Sequence, residues 1–184
     1  MTLSPAATRT TELDAAFESE RAFRAWYDRT LPRVYAYVAS HTGGDRDLAE
    51  EITQQAFIEA LRSHRSFDGR ADSVTWLCSI ARHRLADHFR RLDREERRRI
   101  RVVVRELDPP ADAAMWRAVD ARETVEAALR TLPSLQRAAL IFMYVDGLTV
   151  REIAGALDRS ETAAESLLAR ARTNFRRAIG ADHD

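Results

Sequence analysis

The chain has 184 residues, with 29 basic and 29 acidic side chains, 45% hydrophobic residues and one cysteine, Cys78. That composition suits one or two small helical or mixed cores and excludes an internal disulfide or a cysteine-rich metal site. No apolar run approaches the roughly 20 residues of a membrane span, and the start, Met1 to Thr10, lacks an apolar signal core, so the expected setting is the cytoplasm, without membrane insertion.

A net charge of zero hides an uneven distribution. Between Glu12 and Glu59, ten acids face five arginines; between Arg62 and Arg105, 13 arginines face six acids. An acidic segment followed by a basic one predicts two kinds of partner surface. Every basic residue is arginine. A GC-rich genome accounts for most of that bias, although arginine also pairs bidentately with phosphate and stacks on bases.

Residues 1 to about 13 are small and polar and read as a disordered lead-in. From Leu13 to about Ser40, Phe17, Phe23, Trp26, Tyr27, Leu31, Val34, Tyr35 and Val38 recur at helical intervals, with Pro32 set to break or kink the run and Gly43-Gly44 to end it. Asp45 to His64 predicts a second helix. Leu48, Ile52, Ala56 and Ala60 form its apolar stripe, widened by Ala49, Phe57 and Leu61, while Asp47, Glu50, Glu51, Gln54, Gln55 and Glu59 lie opposite. That acidic, amide-rich face is either solvated or a dock for a basic protein.

After the turn at Phe67-Asp-Gly-Arg70 comes a helix from about Ser73 to Arg91. Wound at 100° per residue, it gathers Leu77, Ala81, Leu85, His88, Phe89 and Leu92 on one arc. Thr75, Trp76, Ser79, Arg82, His83, Asp87 and Arg90 fall on the other. A tryptophan among arginines suits an unpaired base beside a phosphate backbone; packing of Trp76 against a neighbouring helix, with the arginines merely solvated, is the competing reading. The mixed-charge run Arg90 to Arg101 extends the helix.

Arg105 to Ala114, with paired prolines and no apolar period, reads as a linker. Beyond it, Met115 opens a second domain. Trp116, Val119, Val125, Ala128, Leu129 and Leu132 predict one helix and Ser134 to Val145 another, closed by Asp146-Gly147. Thr149-Val-Arg-Glu152 is a capping box opening a short helix. Asp158-Arg-Ser160 is a turn, and Ser160 or Thr162 caps a last helix with Leu168, Ala171, Phe175 and Ile179 inward. A short helix, a tight turn and a longer basic helix make a helix-turn-helix, whose second helix lies in the DNA major groove.

Two sets of motifs carry a family resemblance. Leu48-Ala-Glu-Glu-Ile-Thr-Gln-Gln-Ala-Phe-Ile-Glu-Ala60, Phe67-Asp-Gly and Thr75-Trp-Leu-Cys-Ser-Ile-Ala-Arg-His-Arg-Leu-Ala-Asp-His-Phe-Arg-Arg91 resemble sigma domain two. Leu132-Pro-Ser-Leu-Gln-Arg137, Tyr144-Val-Asp-Gly-Leu-Thr-Val-Arg-Glu-Ile-Ala154 and Ser166-Leu-Leu-Ala-Arg-Ala-Arg172 resemble sigma domain four. From about Phe17 to Ile179 the chain resembles the extracytoplasmic-function sigma factors of bacterial RNA polymerase. The resemblance implies an all-α fold: tail 1–13, domain two over 14–101, linker 102–114 and domain four over 115–184.

It also implies sites. Asp47, Glu51, Gln54, Gln55, Phe57 and Ile58 would dock on core RNA polymerase at the β′ coiled coil, with Gln55 standing where the family often has an acid. Phe67, Asp68, Arg70, Ser73, Thr75, Trp76, Ser79, Arg82, His83, Asp87, Arg90 and Arg91 would bind the unpaired strand of the minus-10 promoter element; His83 replaces a common asparagine. Arg159, Ser160, Glu161, Thr162, Glu165, Ser166 and Arg170 would read the minus-35 duplex. Glu165 and Leu167 replace a common lysine and arginine, and face either DNA (cytosine amino group, thymine methyl) or protein. Further implied partners are the polymerase β subunit and an anti-sigma factor, often membrane-bound, which would hold the chain at the inner membrane face.

No cofactor, metal or catalytic role is expected. His83 and His88 lie about 140° apart around their helix and do not converge on a metal, and no phosphate loop or nucleophile motif is present. RNA synthesis would belong to the polymerase. The alternatives are a stand-alone helix-turn-helix regulator and, last, a helical interaction protein.

Overall fold

The structure is a computed structural model and describes residues 13–14, 16–103 and 121–180. Every element among the described residues is helical, as the sequence predicts. The chain divides into two compact units, 1–85 and 86–184. The predicted tail falls, but for Leu13, outside the described residues, as do Trp116, Val119 and most of the predicted linker.

In the first unit, α1 (Glu20–His41) is capped by Ser19, whose hydroxyl accepts from the Ala22 amide at 3.2 Å. This cap splits the single helical stretch expected from Leu13 onward, because a Ser19 in extended conformation ends one helix and starts the next. Pro32 does not break α1. It is exposed, as is Asp28, whose carbonyl loses its amide partner. α2 (Arg46–Ser63) starts on the Asp45 carboxylate, which accepts from the Leu48 amide at 3.0 Å. A 3-10 turn (His64–Ser66) and a loop lead into α3 (Ser73–Val103), a helix of 31 residues. Asp72 caps it, accepting from the Thr75 amide at 2.8 Å.

Trp26 is the centre of this unit. It is 1% exposed, with Phe17, Phe23 and Phe57 rings 5.4, 5.7 and 5.6 Å away. Its indole N–H donates to the Ser73 hydroxyl at 3.1 Å, so the one polar atom of the ring is satisfied by the first residue of α3. Leu77, Ala81 and Leu85 of α3 close the core.

The second unit takes the remainder of α3 together with α4 (Ala121–Thr131), α5 (Ser134–Tyr144), α6 (Val150–Ala156) and α7 (Glu161–Gly180). The predicted capping box is present: the Thr149 hydroxyl accepts from the Glu152 amide, and the Glu152 carboxylate accepts from the Thr149 amide at 2.8 Å. Asp158 adopts a left-handed φ of 53°, which ends α6 and turns the chain within two residues into α7. Of the two candidate caps, Ser160 serves, accepting from the Ala163 amide at 3.2 Å. Phe142, Ile153, Leu157 and Leu168 fill the core behind this helix-turn-helix.

Ser73→Ala leaves the Trp26 indole N–H without an acceptor. It is expected to lower stability by about 1–3 kcal/mol, read as a lower urea midpoint at unchanged slope. An unchanged midpoint would mean that the bond contributes nothing.

Candidate functional site

The first surface lies between α1 and α2. A groove of about 730 Å³ runs along Tyr27, Leu31, Pro32 and Tyr35 on one side and Asp47, Glu50, Glu51, Thr53 and Gln54 on the other. Asp47, Glu51 and Gln54 are exposed. Gln55 is half-buried, and its amide donates to the Glu51 carboxylate at 2.8 Å, holding the acid in place while leaving its negative charge. Ile58 adds an apolar step, 40% exposed. Phe57 is not on this surface. It is buried, edge-on to Tyr27 at 4.7 Å, because it falls on the apolar stripe of α2 that the periodicity identifies. Phe57 is a packing residue, and the site carried over from the motif is corrected accordingly.

The second surface is the loop before α3 and the solvated face of that helix. Phe67 is also buried, its ring 5.2 Å from that of Trp76. It therefore supports Trp76 from below rather than facing outward. Trp76 is half-buried: it packs on Phe67 while part of it stays exposed. Asp68 folds the loop, accepting from the Arg70 amide at 3.0 Å and pairing with the Arg70 guanidinium at 3.2 Å. Gly69, with φ of 69° and buried, makes the turn that a side chain would strain. Ser73 is occupied by Trp26. The Ser79 hydroxyl is turned back to the Trp76 carbonyl at 2.7 Å.

Thr75 and His83 are exposed and Arg82 is half-buried. His83 Nδ1 lies 2.7 Å from the Ser79 carbonyl. A carbonyl only accepts, so Nδ1 carries the proton, and in the neutral ring Nε2 is left as an acceptor for a base edge. Further along α3, Asp87 pairs with Arg90, and Arg91 is exposed. Arg84, which sequence reasoning passed over, pairs with Glu59 of α2 at 2.9 Å. It lies between the apolar and solvated arcs, where a helical wheel gives no clear side.

The third surface is the helix-turn-helix. Ser160, Glu161, Thr162, Glu165, Ser166 and Arg170 are exposed along the first turns of α7. Glu161 lies 3.8 Å from Arg151, a loose pair between exposed side chains. Leu167 is 9% exposed and belongs to the core beside Leu168. Packing is therefore its role in this structure. Arg159 is not free: its guanidinium lies 3.4 Å from Asp93, in the C-terminal third of α3.

A fourth surface was missed in the sequence. Val125, Leu129, Leu140, Ile141, Tyr144, Val145 and Phe175 line an apolar groove of about 480 Å³, rimmed by Arg172 and Arg176. Tyr144 and Val145 are more than half exposed, and Arg172 holds the Tyr144 hydroxyl at 3.0 Å. Their apolar spacing marked them as helix, and only the packing of α4, α5 and α7 shows that they remain uncovered. Among the described residues no group of three or more His, Cys, Asp or Glu is placed to hold a metal, and no helix is long and apolar enough to cross a membrane.

Two family profiles match these units: Sigma-70 region 2 over residues 26–95 and Sigma-70, region 4 over residues 122–175. The ECF RNA polymerase sigma factor SigK of Mycobacterium sp. (strain KMS) is 34% identical over 152 residues, covering 78% of both chains. The protein of the same name in Mycobacterium tuberculosis (strain ATCC 25177 / H37Ra) is 30% identical over 141 residues, covering 75% of both. The chain belongs to the ECF sigma factors. The fold of this sigma factor is also that of RpoE from Bartonella quintana, solved in complex with the anti-sigma factor NepR: TM-score 0.53 at 22% identity, covering 87% of this chain and 98% of that one. The family is one of transcription-initiation factors rather than of catalysts.

The electrostatics of the loop before α3 give a test. The Thr75 amide hydrogen bond holds the Asp72 carboxyl below its ordinary value of 3.8. A depressed folded value means that the ionised cap stabilises fully above pH 3.8 and that this stabilisation is lost as pH falls below it. Asp72→Ala is expected to lower stability by about 1 kcal/mol at pH 7. The gap to the natural protein should narrow in acid, as followed by urea unfolding at pH 7 and pH 3; a gap of constant size would show that the charge is irrelevant.

Proposed function

We propose that this sigma factor docks on core RNA polymerase through the groove face of α2 and opens the minus-10 element with the loop and solvated face of α3. The observation that carries the proposal is the presence, in one compact unit, of an open acidic groove and of an aromatic ring among arginines. Asp47, Glu51, Gln54 and Ile58, with Gln55 bracing Glu51, would meet the basic β′ coiled coil. Asp68 and Arg70 in the loop, with Thr75, Trp76, Arg82, His83, Asp87, Arg90 and Arg91 on the helix, would hold the unpaired strand. Phe67, Ser73 and Ser79 would position it from beneath. Stacking worth about 1–3 kcal/mol per base offsets the cost of unpairing.

In the second unit, Arg159, Ser160, Glu161, Thr162, Glu165, Ser166 and Arg170 would face the minus-35 duplex, with Glu165 accepting from a cytosine amino group. The apolar groove with its arginine rim suits an amphipathic helix bearing acids, supplied by the polymerase β subunit or by an anti-sigma factor. The predicted domains, with 102–114 as a linker threading the polymerase, fit this division of labour. RpoE's complex with NepR supports control by an anti-sigma factor here. A cytoplasmic location follows from the role, and a membrane-bound anti-sigma factor would hold the protein at the inner membrane face.

The test is run-off transcription with purified core polymerase over candidate promoters. Transcription from one promoter class only when the sigma factor is added is the expected result; core binding without any such dependence would sink the proposal. Reversing charge with Asp47→Arg and Glu51→Arg together should weaken core binding at least about tenfold while leaving the helical signal intact, since both side chains are exposed. Trp76→Ala is expected to reduce transcription about tenfold on duplex promoters and much less on a template opened in advance. An equal loss on both templates would assign Trp76 to packing alone.

A further inference from the structure

The loop before α3 cannot carry a phosphate chain on its own charge. Between Phe67 and Ser73 it holds two acids and one arginine. Asp68 and Arg70 pair at 3.2 Å, and Asp72, the ionised cap of α3, leaves the loop with one negative charge. A phosphate passing here meets repulsion unless another element supplies a cation.

α1 supplies one. The Trp26 indole N–H donates to the Ser73 hydroxyl at 3.1 Å, so α1 lies against the point where the loop becomes α3. At 100° per residue, Arg33 returns to within about 20° of Trp26 around α1, roughly 10 Å further along its axis. Thr30, between them on that side, is buried and turns its hydroxyl to the Trp26 carbonyl at 2.9 Å, whereas Arg33 is exposed. Among the described residues Arg33 enters no ion pair. Its charge still reaches the loop: the Thr75 amide does most to hold the Asp72 carboxyl below its ordinary range, and Arg33 adds to that effect. Tyr35 lines the docking groove against α2, and Arg33 lies about 160° around the helix from it. Trp76 stands three residues beyond Ser73, about 4.5 Å along α3.

We propose that the strand-binding surface continues from α3 onto α1, where Arg33 holds a backbone phosphate of the unpaired strand beside the base stacked on Trp76. A guanidinium on a phosphate reads charge and not sequence, so Arg33 sets the path of the strand and leaves base choice to α3. The assignment rests on the reading of α3 as the strand-opening face, and the experiment separates the two.

The holoenzyme is titrated, at a series of salt concentrations, with a labelled non-template-strand oligonucleotide carrying the minus-10 element of a promoter that it transcribes. Arg33→Gln should weaken binding about three- to tenfold and flatten the log–log salt dependence by about 0.7, the increment of one phosphate on a single strand. Arg33→Lys, which keeps the charge, should keep the slope. A neutral methylphosphonate placed at each linkage in turn should reveal one linkage where the natural protein loses affinity and Arg33→Gln loses none. Core binding should be the same for all three proteins. An unchanged slope in Arg33→Gln, a lysine variant as weak as the glutamine one, or identical linkage profiles overturns the assignment. A matching loss of core binding also overturns it, by placing Arg33 on the docking face. Trp76→Ala should lower affinity at constant slope, because stacking displaces no counterion. Full affinity in Trp76→Ala with the Arg33 effects intact overturns the reading of α3 and keeps the phosphate contact.

Discussion

The hydrogen bond from the Trp26 indole to Ser73 is the constraint on which the rest of the first unit depends. It ties the buried Trp26 ring to the first residue of α3 and so fixes where that helix begins. Asp72, one residue earlier, caps the helix, and Gly69 turns the loop three residues before that. Phe67 then lies under Trp76. A single buried polar group thus sets the register in which the loop and the solvated face of α3 are presented together. The half-buried Trp76 ring is carried on a support that reaches, through α3, into the same aromatic cluster that Phe57 joins from α2.

The same economy governs the second unit. α6 and α7 are short of internal partners at their junction, and the chain completes them with local polar devices: the capping box at Thr149, the left-handed Asp158 and the Ser160 cap. These fix the direction in which α7 leaves the turn. Glu96 then closes the open end of α5 from outside the bundle. The C-terminal part of α3 meets the other helices of this unit through carboxylates facing arginines and amides, beside the buried Phe89.

Much of this was legible in the sequence. The all-helical fold, the capping box, the turn at Asp158 and both family regions are local patterns, set by spacing and by residues whose backbone preferences are strong. Where side-chain placement was not legible, there is one cause. Phe57 was assigned by its position in a motif and Leu167 left open on the same ground, and a motif does not say which way a side chain points. The periodicity of α2 put Phe57 inside and was right, yet it also put Leu61 inside, where the structure leaves that side chain 44% exposed. The uncovered groove at Tyr144 and Val145, and the reach of Glu96 to Ser134, join residues far apart in sequence and have no local signature.

Arg137 shows why arginine alone serves in these contacts. Burial pushes its pKa down from the ordinary guanidinium value, Glu96 opposes that shift, and its Nε has no hydrogen-bond partner among the described residues. A guanidinium starts so far above neutrality that it keeps its charge in such a place, and its flat face can still rest on Phe89. An ammonium group there would begin two units lower and have no plane to stack, so the site would tend toward a neutral amine above an aromatic ring. A lysine-free chain therefore has, at Arg137, a contact whose sign does not change around neutral pH.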